Sequence, residues 1–114
     1  MNNTIEYKGY IGTVEFSEPD GIFFGKVQGI RSLVSYEGTS AKELIKDFHN
    51  AVEDYISSCA KAGKDPEVAY KGSFNVRIGA ELHKKAVIYA IAHEQSLNSF
   101  VAEAIKEKLL RVAI

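Results

Sequence analysis

A chain of 114 residues that is 46% hydrophobic and 25% charged can bury a core, which excludes disorder as its main state. Its net charge of −1 excludes an evenly basic nucleic-acid binder, and no apolar run reaches the ~18 residues that a membrane span needs. The amino end, Met1-Asn2-Asn3-Thr4, does not read as a signal peptide, so the expected location is the cytoplasm.

From Tyr7 to Phe16 the chain alternates, with Tyr10, Gly12, Val14 and Phe16 on one side. This predicts a strand whose glycines mark the close approach of a neighbour. Ser17-Glu18-Pro19-Asp20-Gly21 has turn chemistry, and Ile22 to Gln28 then predicts a second strand and a hairpin. A short third strand is expected around Leu33 to Tyr36, closed by Gly38.

Ser40 followed by Glu43 is a capping box, and Ala41, Leu44, Ile45, Phe48, Val52, Tyr55, Ile56 and Cys59 recur at helical spacing. The spacing predicts a long amphipathic helix that ends at a left-handed Gly63, with Pro66 preventing a restart. Cys59, the single cysteine, falls on the apolar face of that helix and reads as a buried, inert thiol. Glu67 to Tyr70 is expected to add a last edge strand. The order is therefore three strands, one helix and one strand: an α+β unit over residues 1–70, a sheet covered on one face by a helix.

Residues 71–114 form a second pattern. Ser73-Phe74-Asn75-Val76-Arg77-Ile78 alternates and is followed by two helical segments, separated by a polar break at His93 to Ser96. Phe74, Val76 and Ile78 share one face of the predicted strand; Ser73, Asn75 and Arg77 share the other. The pattern turns helical at about Ala80, so no second strand lies within hairpin reach. Pairing with the same strand of a second copy satisfies the edge and gives a two-stranded antiparallel ribbon backed by four helices. Such a ribbon fits the DNA major groove, where Asn and Arg suit bidentate reading of adenine and guanine. Ser96 is a good N-cap, and the amides that follow at Leu97 and Asn98 make an anion site suited to phosphate. Charge is divided to match: residues 1–71 hold 8 basic and 11 acidic side chains, residues 72–114 hold 6 and 4. The second half has the sign that DNA requires, and the acidic first half points to a different partner.

Strand, helix, break and helix in this order resemble the ribbon-helix-helix family, to which Arc and MetJ belong. That resemblance implies base contacts from Ser73, Asn75 and Arg77 and phosphate contacts from Ser96, Leu97 and Asn98. Where many members end the first helix with glycine, this chain has Glu94, which predicts a differently shaped turn. Almost the whole chain is similar to the HicB family of antitoxins, through Tyr7-Lys8-Gly9-Tyr10, Val14-Glu15-Phe16, Gly25-Lys26-Val27-Gln28-Gly29-Ile30, Glu37-Gly38, and Phe74-Asn75-Val76-Arg77 leading to Leu82-His83. This likeness implies a truncated RNase H-like amino-terminal domain that silences a HicA-like ribonuclease toxin. It also implies a carboxyl-terminal domain that dimerises and represses the operon's promoter.

Two other readings compete with this one. RNase H-like nucleases gather carboxylates around divalent ions, and Glu15, Glu18 and Asp20 are the acidic cluster on or beside a strand. Two of the three sit in a turn, where acidic residues are ordinary, so no enzyme is expected. A stand-alone regulator with a ligand-sensing amino domain is the other. His49 and Cys59 are ten residues apart on one helix, ~15 Å at ~1.5 Å per residue. Nothing has zinc-site spacing, and no cofactor or metal is predicted.

Overall fold

The computed structural model describes residues 3–112. Met1 and Asn2, part of the stretch read for a leader, lie outside them, as do Ala113 and Ile114. Among the described residues the fold is α+β, with five strands in two small sheets and three helices. The chain divides into two units, Met1–Ser73 and Phe74–Ile114.

In the first unit β1 (Thr4–Tyr7) and β2 (Tyr10–Thr13) form a hairpin, and β3 (Glu15–Ser17), β4 (Ile22–Lys26) and β5 (Ser35–Gly38) form an antiparallel sheet in that order. Lys8 (φ 52°) and Gly9 (φ 81°) make the two-residue turn between β1 and β2. The strand predicted from Tyr7 to Phe16 is thus corrected. Its start is a turn, β1 precedes it, and the remainder is divided between β2 and β3. A bridge from Gly12 to Val27 joins the two sheets. The predicted alternation holds as far as Val14, which packs on the same core as the buried Tyr10, but not at Phe16, which is 57% exposed.

Helix α1 (Ala41–Lys61) covers one face of this sheet. Ser40 Oγ accepts from the Glu43 amide as predicted, but Glu43 reaches back to the Thr39 amide and hydroxyl rather than to Ser40. Helix α1 ends before Gly63, whose φ of 69° is the expected left-handed cap. Leu44, Phe48 and Val52, one face of α1, are almost wholly enclosed and meet Tyr10, Val27, Val34 and Tyr36 from the sheet side. Cys59 is half-buried rather than buried.

The Tyr36 hydroxyl explains two glycines. It donates to the Thr13 carbonyl at 2.7 Å from a slot that a Cβ on Gly12 or Gly25 would fill. Burial pushes this phenol up to about 12.

The edge strand expected at Glu67 to Tyr70 does not form, so the predicted strand after the helix is corrected to a side-chain-pinned loop. The Glu67 carboxylate accepts from the amides of Arg31 (2.9 Å) and Ser32 (3.1 Å) and from the Ser32 hydroxyl (3.0 Å). The Glu67 amide donates to the Tyr55 hydroxyl, and the Tyr10 hydroxyl donates to the Glu67 carbonyl. With its polar groups taken by side chains, the segment has no need of a ladder. The Arg31 and Ser32 amides hold the Glu67 carboxyl down to about 2, against an ordinary 4.5.

The second unit contains α2 (Ala80–Ala92) and α3 (Leu97–Arg111), with the break between them where it was predicted. Only Ala86 and Ala90 of this unit are buried among the described residues.

Candidate nucleic-acid interface

The amino end of α3 is built from Ser96. Its extended backbone (φ −73°, ψ 155°) turns the side chain back, and Oγ accepts from the Ser99 amide at 3.0 Å. The Phe100 amide takes the Ser96 carbonyl, also at 3.0 Å. Of the four amides that a helix start leaves over, those of Leu97 and Asn98 have no acceptor among the described residues. No acidic residue stands in this first turn. Two free amides aligned with the positive end of a helix dipole can bind one phosphate oxygen without help from a cationic side chain.

The approach to this end is fixed by the turn after α2. Glu94 takes the left-handed conformation (φ 53°), so the Gln95 amide reaches the Ala90 carbonyl at 3.0 Å. The turn therefore has the glycine-type geometry in spite of the side chain, which corrects the expectation of a different shape. The His93 ring stacks on Tyr89 at 3.9 Å while its Nδ1 lies 2.9 Å from the Tyr89 carbonyl oxygen. Tyr89 also packs against Phe100 at 5.2 Å, linking α2 to the first turn of α3. This aromatic lock was not foreseen; the four-residue spacing of Tyr89 and His93 was its only local signal.

The residues assigned to base reading are all exposed. Ser73 closes the first unit, and Asn75 and Arg77 lie in the second. Residues 73–78 form no strand in the single chain, where no partner strand is present, and Gly72 (φ 91°) and Gly79 (φ 86°) bracket them. Phe74, Val76 and Ile78 are 72%, 58% and 46% exposed. Val76 and Ile78 line a groove of about 690 Å³ with Ala86, Phe100, Val101 and Ile105. The second unit thus gathers the phosphate-type amides at one helix end, and leaves the apolar face of the predicted ribbon strand open.

Elsewhere, Asp20 accepts from the Ser17 hydroxyl at 3.1 Å, an ordinary turn contact. Among the described residues no group of three or more His, Cys, Asp or Glu is placed to hold a metal ion. No helix among them is long and apolar enough to cross a membrane.

Residues 55–105 match the model of the HicB family. The match runs from the last turns of α1, through the segment pinned by Glu67, to the middle of α3, a similarity to that family over a little under half of the chain. No curated protein and no solved structure matches the chain significantly.

Proposed function

We propose that this protein is an antitoxin that neutralises a HicA-like ribonuclease toxin with its first unit and represses its own operon with its second. The family match over residues 55–105 carries this reading, because one family model takes in the end of the first unit and most of the second. In this proposal the first unit is a truncated relative of the RNase H-like sheet, lacking the strand after the helix.

The second unit supports the DNA-binding half physically. An apolar face made of Phe74, Val76 and Ile78 cannot stay in water at these exposures without a large loss of burial energy. A second copy, strand against strand, covers it and supplies the missing ladder. The resulting ribbon turns Ser73, Asn75 and Arg77 outward to bases, and the Leu97 and Asn98 amides take the flanking phosphates. Discrimination then comes from the strand and general affinity from the helix end.

The proposal makes the two kinds of contact separable. Asn75→Ala with Arg77→Ala is expected to abolish preference for operator over unrelated DNA, at ~1 to 3 kcal/mol per bidentate contact. Ser96→Ala is expected to weaken both sequences equally. Gel shifts on the two DNAs, with an RNA-cleavage assay of the toxin, check this. Full operator preference in the double variant would refute the base-reading assignment, and unprotected RNA in the presence of the intact protein would refute the antitoxin assignment.

A further inference from the structure

The sheet of the first unit has two faces, and α1 covers one of them. Alternation turns the other set outward: Ile11, Thr13 and Glu15 on the β2–β3 strand, Ile22, Phe24 and Lys26 on β4, and Glu37 on β5. Among the described residues of this unit there is no second helix to cover them. The register puts Glu15 opposite Phe24 and Phe24 opposite Glu37, so one cross-strand row reads carboxylate, phenyl, carboxylate. Directly opposed residues are ~5 Å apart, near enough for one ligand group to meet all three. Phe24 is 37% exposed, and Glu15 and Glu37 are exposed beside it. A cleft of about 500 Å³ takes in Phe24 and Glu37 of this row, together with Ser17, Asp20 and Ile22 and, from α1, Asp47.

We infer that this open sheet face is the docking surface for a cationic protein, with an arginine or lysine of that partner seated over Phe24 between Glu15 and Glu37. The row matches what such a side chain requires: an aromatic face for the cation and its apolar stem, and carboxylates on both sides for its donors. Charge selects the occupant. Glu6 lies on the same face, and Lys26 is its one basic residue among those whose register is given. Two copies of this chain face to face would oppose carboxylate with carboxylate, and DNA or an anionic membrane is repelled by the same sign. A protein that binds RNA carries the opposite one. The identity of the partner rests on the antitoxin reading, in which it is the toxin; the docking face itself rests on the register and the charges.

Full-length Glu15→Lys/Glu37→Lys and Phe24→Ser variants would be titrated calorimetrically against purified HicA-like toxin at low and high salt. Asp54→Lys, an exposed change on α1, serves as the control. The charge-reversed variant is expected to bind at least about tenfold more weakly, to lose most of the salt dependence of the wild type, and to keep its affinity for operator DNA. Phe24→Ser is expected to weaken binding at both salt concentrations, and Asp54→Lys to leave it unchanged. If charge reversal costs stability, Glu15→Gln/Glu37→Gln replaces it and is expected to lose affinity in the same direction. Binding of the face variants within about twofold of the wild type would overturn the docking face and leave the antitoxin reading standing. Failure of the wild type to bind the toxin would overturn both.

Discussion

The first unit closes a core around Phe48, Leu44 and Val52, whereas the second buries only two alanines among its described residues and leaves Leu82, Ile88, Ile91, Leu109 and Leu110 about half exposed or more. Both stretches are rich in apolar residues, so composition does not separate them. Architecture does. In the first, a helix stripe meets a sheet face of matching period and both are enclosed. In the second, two helices have no sheet to lie on, and a pair of helices cannot surround a core. A unit with an enclosed core and one without can therefore adjoin in a chain of 114 residues.

The largest expected effect strikes the unit with the enclosed core. Phe48 is 0% exposed and meets Tyr36 and Tyr7 at ring-centroid distances of 4.9 and 6.5 Å. Phe48→Ala leaves a cavity in a site held by both sheet and helix, and is expected to cost ~3 to 5 kcal/mol of that unit's stability. Urea unfolding followed by tyrosine fluorescence measures it. A loss below ~1 kcal/mol would show that the enclosed cluster is not what holds this unit together.

Concentration sharpens the comparison next. If a second copy covers the open apolar face, the stability of the second unit depends on protein concentration, and each tenfold dilution costs it ~1.4 kcal/mol per dimer. Amide exchange in α2 and α3 of the intact chain should accelerate on dilution while α1 stays protected. Equal, concentration-independent protection in all three helices would remove the distinction between the two units.

The legible parts of the molecule were those decided within a few residues. The α1 stripe, the Ser40 cap, Gly63 and the Ser96 cap all follow from neighbours one to four positions away, and the structure has each of them. The parts misread depend on distant or unusual partners. Glu67 lies 35 and 36 positions from the amides that hold its carboxylate, so its short apolar surroundings read as a strand. The turn between β1 and β2 escaped because Lys8 takes a conformation usually left to glycine or asparagine, and β1 was lost with it. At the candidate nucleic-acid interface, the helix-end amides were readable from Ser96 alone. The Tyr89–His93–Phe100 lock was not, because it needs the turn geometry before its rings can meet.

That turn provides the smallest effect and the finest comparison. Glu94 and Lys8 are both non-glycine residues in left-handed backbone, at φ 53° and 52°, one in each unit. A Cβ there costs roughly 1 to 2 kcal/mol, while glycine returns part of that gain through the greater freedom of the unfolded chain. Glu94 has no side-chain hydrogen bond or ion pair among the described residues, so Glu94→Gly is expected to stabilise the second unit by ~0.5 to 1 kcal/mol. Lys8 differs, because its Nζ lies 2.9 Å from a Glu53 carboxylate oxygen and a glycine would lose that contact along with the strain. Lys8→Gly is therefore expected to gain less than Glu94→Gly. Denaturant midpoints of both variants, taken at one fixed protein concentration, decide it. A destabilising Glu94→Gly would mean that the side chain supports the turn, and that the left-handed residue between α2 and α3 is held by more than backbone hydrogen bonds.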